Sequence, residues 1–249
     1  AIFAYLPPRI HRLVEPFAGS AALSIYAASH NLAAGFFLND LNVPLVALLS
    51  MIINEPEHIA KLYRTIWNEQ LGQEQPYYNK VRSEFNRTQA PELLLYLLAR
   101  CVKAAVRYNN NGEFNQGPDN RRKGRHPDSM AKEIWAMSRL LRDRTILNST
   151  DYRAIIPLLN PETDLVYMDP PYQGTSMNRD RRYLSGIDVT QFSAFLRELN
   201  ACNIMYAISY DGHKGGRAYG VRLPVDLGLH HVEVNAGRST QSTLLGENQ

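Results

Sequence analysis

The sequence predicts an α/β fold: a mostly parallel sheet of about seven strands, with helices on both faces and a helical insertion. Three observations carry this. A strand–turn–helix–strand order occupies residues 12–54, the stretch from 56 to 142 reads as nearly all helix, and strand and helix alternate again from Thr145. The α/β domain is therefore assigned to residues 1–55 and 143–249, and the insertion to 56–142.

The first block begins with an apolar run from Leu13-Val14 up to Phe17 and a small-residue turn, Ala18-Gly19-Ser20. A helix is expected from Ala21 to about His30, then a second apolar run, Phe36-Phe37-Leu38, ending in Asn39-Asp40. Pro44 suits the first turn of another helix. In the insertion, Leu94, Leu97, Leu98, Cys101, Val102 and Ala105 recur at helical spacing, as do Met130, Ile134, Met137 and Leu141. Between them, Tyr108–Pro118 is too polar for helix, and the pair Asn111-Gly112 predicts a hairpin turn. Further strands are expected over 145–149, 164–168, 203–209, 230–235 and 241–246, with a helix over about 190–200 that buries Phe192, Phe195, Leu196 and Leu199.

With 249 residues and 45% hydrophobic content, the chain can bury a substantial core. Its 20% charged residues exclude a disordered or fibrous class. Cys101 and Cys202 lack a metal-ligand partner at short spacing, so no metal site and a reduced, cytoplasmic protein are expected. No apolar run is long enough to span a membrane, and the first residues do not read as an export signal. The net charge of +3 is weak evidence for nucleic acid. Its distribution says more: Arg121, Arg122, Lys123, Arg125 and His126 form one cluster in a loop, and Arg179, Arg181 and Arg182 another. Taken alone, either cluster reads as a solvated face.

The strongest chemical signal is Asp169-Pro170-Pro171-Tyr172, directly after the apolar run Leu165–Met168. From average composition this tetrapeptide arises by chance in on the order of one chain in a thousand of this length. Proline can simply end a strand, but in open α/β sheets the carboxyl ends of strands are where ligands bind. The four residues suit activation of an aryl amine. Its lone pair is delocalised into the ring, and two acceptors aimed at its N–H bonds favour a more tetrahedral nitrogen that frees it. Asp169 supplies one acceptor and the Pro170 carbonyl, stiffened by successive prolines, the other. Pro171 is part of that stiffening, and Tyr172 offers a face for a base to stack on.

The second signal is Glu15-Pro16-Phe17-Ala18-Gly19-Ser20-Ala21 between the first strand and first helix. Glycine lets a ligand approach the backbone there, and the helix N-terminus favours a carboxylate. Asp40 follows about twenty residues later, where nucleotide-binding folds grip ribose hydroxyls. This spacing does not separate a dinucleotide from S-adenosylmethionine.

With these motifs in this order, the chain resembles the Dam-like N6-adenine DNA methyltransferases. The Glu15–Ser20 turn, Leu38-Asn39-Asp40-Leu41-Asn42 and the Asp169–Tyr172 tetrad carry the resemblance, joined by Tyr77–Asn86, Tyr108–Asn115 and Ala236–Gln241. It implies a Rossmann-like methyltransferase that uses S-adenosylmethionine on a flipped adenine in double-stranded DNA, in the setting of a restriction endonuclease. It places Glu15, Pro16, Phe17, Gly19, Ser20, Asp40, Asp151, Tyr152 and Asp169 around the cofactor. It makes the insertion a target recognition domain and assigns DNA contacts to Tyr78, Arg82, Arg107, Asn109, Asn115, Arg121, Arg122, Lys123, Arg125, Arg179 and Arg181. The family usually carries a Lys-Trp-x-Gly-Gly-Lys-like segment before the first strand. Ala1–His11 do not contain it, which implies a trimmed chain or an incomplete cofactor site. Competing readings are a methyltransferase acting on RNA or a protein amide, a catalytically impaired DNA-binding relative, and a dinucleotide oxidoreductase. Asn at the first tetrad position would point to glutamine and Ser to cytosine N4, whereas Asp169 favours adenine. The oxidoreductase reading explains Gly19 and Asp40 but not the tetrad.

Overall fold

The computed structural model describes residues 2–102, 106–170, 187–210, 213–214, 217–218 and 222–233. Five strands form one sheet: β1 (Ile10–Glu15), β2 (Ala33–Asn39), β3 (Thr145–Asn148), β4 (Asp164–Met168) and β5 (Met205–Ile208). Their order is β3-β2-β1-β4-β5, and every pairing is parallel. The winding runs outward from β1 through β2 to β3, then restarts on β1's other side with β4 and β5. The reversal between β1 and β4 is the position at which such sheets open a crevice.

Side chains alternate across the sheet because successive residues of a strand point to opposite faces. Leu13, Phe36, Leu38, Leu165 and Tyr167 face one way and pack with Ala27 and Ala28 of helix α1 (Ala22–Ser29). Val14, Phe37, Val166 and Met168 face the other way. Helices α2 (Val43–Asn54), α3 (Pro56–Glu69), α4 (Glu74–Thr88), α5 (Pro91–Arg100) and α6 (Pro127–Leu141) follow β2. The second face of the sheet is covered by α7 (Val189–Ala201), through Phe192, Phe195, Leu196 and Leu199. At the amino end of the strands, Arg12 holds Asp164 with a fork of two contacts, Nε to Oδ1 at 2.7 Å and Nη2 to Oδ2. Asp164 is fully buried there, so β1 and β4 are cross-linked by a charge-assisted pair.

The helices α3–α6 share a core of their own, with Tyr63, Tyr78, Phe85, Tyr96 and Ile134 among its buried members. α2 and α6 bridge the two bodies: Leu48, Ile52 and Ile134 belong to the insertion's core, whereas Ile53 and Leu141 belong to the sheet's. Ser138 of α6 donates to the Ile53 carbonyl at 2.6 Å, which clamps the two helices at that seam.

Several details differ from the sequence expectation. β1 ends at Glu15 and Phe17 lies in the turn, because Pro16 has no N–H for the ladder. The helix expected to run through Cys101 and Val102 stops at Arg100: Cys101 turns extended and bridges Pro118, and the Val102 N–H goes to Gly117 O. That bridge forms the base of the expected hairpin. Tyr108 pairs with Phe114 above it, the Asn109 N–H reaches Glu113 O at 2.8 Å, and Gly112 takes the positive φ of 75° that the turn requires. His230–Glu233 carry no strand, and the remainder of the 230–235 and 241–246 expectations lies outside the described residues. A short antiparallel pair, β6 (His213–Lys214) and β7 (Arg217–Ala218), stands apart from the main sheet. Among the described residues, no helix is long and apolar enough to cross a membrane.

Leu13 is fully buried in the central strand. Leu13→Ala is expected to lower the unfolding free energy by about 3–4 kcal/mol, through lost burial and the cavity left behind. Urea titration reads this directly, and a loss below about 1 kcal/mol would show that the central strand is not where the sheet's stability resides.

Candidate active site

Parallel strands deliver their loops to one rim, and here the rim is held by a single buried amide. Asn39, the last residue of β2, is fully inaccessible. Its Nδ2 donates to Pro16 O and Thr150 O, both at 3.0 Å, and its Oδ1 accepts from the Thr150 N–H at 3.1 Å. The loops after β1, β2 and β3 are thereby tied together. The Ala18 N–H adds a bond to Asn39 O at 2.8 Å.

Within that frame the β1–α1 turn passes through Gly19 and Ala21, both left-handed with φ of 50° and 54°. The Gly19 N–H donates to Asp40 Oδ2 at 2.9 Å, and the Asn42 N–H donates to Asp40 Oδ1 at 2.9 Å. Burial raises the Asp40 carboxyl above its ordinary range, opposed by the N–H groups of Asn42 and Gly19. A carboxylate has about four acceptor directions, so two remain for a ligand's hydroxyls. Ser20 is exposed at the mouth.

Glu15 sits beneath the turn, 4% exposed, and accepts from the Ser24 N–H at 3.0 Å and from the Ser24 hydroxyl. Burial pushes its carboxyl up to about 7 against those bonds, and the charge of Asp169 adds to the rise. Asp169 leaves the end of β4 beside it, exposed, while Pro170 is buried. Met168 and Tyr167 anchor that exit on β5's loop: the Ser209 N–H reaches Met168 O at 2.8 Å, and the Tyr167 hydroxyl lies 2.8 Å from Ser209 Oγ.

Asp151 and Tyr152 arrive on the loop after β3. Asp151 caps the 3-10 helix Tyr152–Leu158 by accepting from the Arg153 N–H, and the Arg153 guanidinium pairs with it at 2.8 Å. The Tyr152 ring packs 5.1 Å from Phe17 and 5.0 Å from Phe195, an aromatic floor shared by the β1 and β3 loops. Thus Glu15, Pro16, Phe17, Gly19, Ser20, Asp40, Asp151, Tyr152 and Asp169 all lie at or just beyond the carboxyl ends of the parallel strands. Pro171, Tyr172, Arg179 and Arg181 lie outside the described residues.

A family model for the D12 class N6 adenine-specific DNA methyltransferases matches residues 1–218. The chain belongs to this family. Similar proteins include the Type II methyltransferase M.CviBI of Paramecium bursaria Chlorella virus NC1A, 32% identical over 172 residues, which are 68% of this chain and 62% of that protein. The retron Ec67 DNA adenine methylase of Escherichia coli is 31% identical over 66% of this chain and 56% of its own length. The DNA N-6-adenine-methyltransferase of Escherichia phage P1 is 31% identical over 69% of this chain and 22% of its own. The chain thus spans less than two thirds of these relatives.

In this D12 class chain the expected DNA-side residues fall into distinct environments. Tyr78 is fully buried and donates to Gln116 O at 2.8 Å, so it supports the hairpin from below. Arg82 and Arg107 are half-buried and Asn115 is exposed. Asn109 is spent on the turn: its Oδ1 accepts from the Asn111 and Glu113 N–H groups and its Nδ2 donates to Glu113. The basic cluster is largely paired, with four cations on three carboxylates. Arg121 and Arg122 both pair with the buried Asp119, Lys123 with Glu74, and Arg125 with Glu133. Asn39, Asn42 and Tyr108, which brace the site's loops from behind, are not among the site residues expected from the sequence. The signal was present, since Asn39 and Asn42 flank Asp40 and Tyr108 opens the polar hairpin stretch.

Glu15 gives a pH test. Its carboxyl titrates near 4.5 when unfolded and near 7 in the fold. The native state therefore holds the proton longer, and wild-type stability falls as pH rises through that window. Glu15→Gln should gain on wild type by roughly 2–3 kcal/mol between about pH 5 and pH 8. A difference in urea unfolding free energy that stays flat across the range would sink the assignment.

Proposed function

We propose that this chain transfers a methyl group from S-adenosylmethionine to N6 of an adenine extruded from double-stranded DNA, at a sequence-defined site. One observation carries the reading: Asp169 leaves β4 directly beside the Glu15–Ser20 turn of β1, where the winding of the sheet reverses. A candidate amine acceptor and a candidate cofactor cradle thus share one crevice.

S-adenosylmethionine brings an electrophilic methyl group on a sulfonium leaving group. The residues present fit it. Gly19 has a positive φ and nothing within 4 Å of where a side chain would stand, so a ligand can lie against its backbone. Asp40 keeps two acceptor directions for a ribose diol, with the exposed apolar side chains of Leu41 and Val43 beside it. Glu15, Pro16, Phe17, Ser20, Asp151 and Tyr152 complete the assigned cradle. On the substrate side, Asp169 and the Pro170 carbonyl accept from the two amine N–H groups and so raise the nitrogen's nucleophilicity as the new bond forms. The surplus proton leaves the nitrogen after the methyl has arrived, so no strong base is required of the chain. Tyr172 is assigned the stacking face for the flipped base.

The insertion 56–142 is assigned as the target recognition domain, with the hairpin tip and the half-buried Arg82 and Arg107 toward the duplex. Arg121, Arg122, Lys123, Arg125, Arg179 and Arg181 are assigned to phosphates. Met205 is 57% exposed at the β5 edge, which supports further strands beyond it in a sheet of about seven. Three relatives are named Type II methyltransferases, which supports a restriction-modification setting. A cytoplasmic location goes with a DNA substrate. Incubating a random-sequence duplex pool with labelled S-adenosylmethionine and mapping N6-methyladenine tests the function. No labelled adenine in any sequence context would refute it.

Asp169→Ala is expected to lower the single-turnover rate a hundredfold or more, with circular dichroism unchanged. A rate within about tenfold of wild type would remove Asp169 from the chemistry. Asp40→Ala is expected to weaken S-adenosylmethionine binding by about 1.5–3 kcal/mol in calorimetry and DNA binding by much less. Equal cofactor affinity in this variant would leave Asp40 as a brace for the Gly19 turn alone.

A further inference from the structure

A chain of buried contacts leads from the cofactor cradle into the insertion. Asp40 is shared by the Gly19 and Asn42 N–H groups. Asn42, 7% exposed, holds three places at once: its N–H on Asp40, its Oδ1 as cap for the Leu45 N–H of α2, and its Nδ2 on the Tyr108 hydroxyl at 3.1 Å. Tyr108, also 7% exposed, sits opposite Phe114 in the hairpin, with ring centroids 6.2 Å apart. Phe114 packs 5.9 Å from Phe85 of α4, and both its backbone groups are taken by Asn86, its N–H at 2.7 Å and its carbonyl at 3.2 Å. The tip beyond this pair, Asn110 to Glu113, is exposed.

We propose that Asn42 and Tyr108 are positioning residues that couple occupancy of the cofactor cradle at Asp40 to order in the hairpin 107–115, and so to engagement of DNA. This rests on the cofactor reading given above. Two hydroxyls bound by Asp40 restrict its carboxylate, and with it the Asn42 peptide that donates to the same group. Both ends of the Asn42 amide are committed, Oδ1 to the Leu45 N–H and the Tyr108 hydroxyl and Nδ2 to that same hydroxyl, so moving it uncaps α2 or leaves a buried amide unsatisfied. The restriction therefore passes to the Tyr108 hydroxyl and the strand pair it anchors. A hairpin held by two isolated bridges and ending in an exposed turn is among the first segments to open locally, which makes it responsive to such an anchor.

Hydrogen–deuterium exchange on the full chain tests this, with S-adenosylhomocysteine as an unreactive probe. In wild type, peptides covering 107–115 should exchange roughly fivefold or more slowly at saturating probe. Tyr108→Phe keeps the ring contacts and loses only the hydroxyl. The probe-dependent slowing should then drop below about twofold, while calorimetric affinity for the probe stays within about threefold. Asn42→Ser, which keeps the cap on α2 but cannot reach Tyr108, should behave alike and serves if the first variant does not fold. A purely structural role would speed exchange equally with and without probe, which overturns the proposal. So does a wild-type hairpin blind to bound probe, or full slowing retained in both variants. Failure of wild type to bind the probe at all would overturn the proposed function and this coupling with it.

Discussion

The Asn39 side-chain amide is the constraint on which the arrangement depends. A parallel sheet fixes where its strands end but leaves the loops that follow them free to diverge. One amide, inaccessible to water and bonded to Pro16 of the β1 loop and Thr150 of the β3 loop, removes that freedom. Because it is buried, any displacement of a loop leaves a donor or acceptor unsatisfied, at about 1–3 kcal/mol each. The Gly19 turn, Asp40 and Asp151 inherit their mutual positions from this tie.

Charge is handled differently at the two ends of the sheet. At the amino end, Asp164 is neutralised by the Arg12 fork. At the carboxyl end, Glu15 and Asp40 are held by N–H and hydroxyl groups of Ser24, Gly19 and Asn42, which orient each carboxyl group with no cation opposite it, and burial raises both above their ordinary range. Under the proposed function this rim would receive a cationic ligand with a ribose, and the negative charge of Asp169 lies beside Glu15 at the same place. The insertion follows the opposite logic. Each cation of the 121–125 loop has a carboxylate in reach, so a phosphate bound there would have to compete with Asp119, Glu74 and Glu133. Such pairs shape the loop at least as much as they attract a polyanion, and they lessen the salt dependence that the bare count of arginines suggests.

The insertion's helices share a core dense in tyrosine and phenylalanine, and several of those rings use their polar atoms inward. Tyr78 supports Gln116, Tyr63 donates to Arg125 O at 2.6 Å, and Tyr96 donates to Gln70 at 3.0 Å. These bonds hold the long polar connection between α5 and α6 in a defined course without regular secondary structure. α2 and α6 then carry that body as a continuation of the sheet's own packing.

The α/β class, the order of the strands along the chain, the β1–α1 turn, the Asp40 position and the hairpin at Asn111-Gly112 were legible in the sequence itself. All are local: apolar runs, proline and glycine placement and short motif spacing act over a few residues, and the fold preserves them. Tertiary structure alone decided the rest. Where the helix after Leu94 stops depends on Pro118, eighteen residues beyond Arg100 in the chain, drawing Cys101 into a bridge. Which tyrosines are core, which arginines are already paired, and that Asn39 and Asn42 join their acidic neighbour in binding the loops together depend on partners up to 111 residues away. Periodicity reports which face of an element is apolar, but not which distant polar group will satisfy a buried one; that is settled only when the chain brings them within hydrogen-bonding distance.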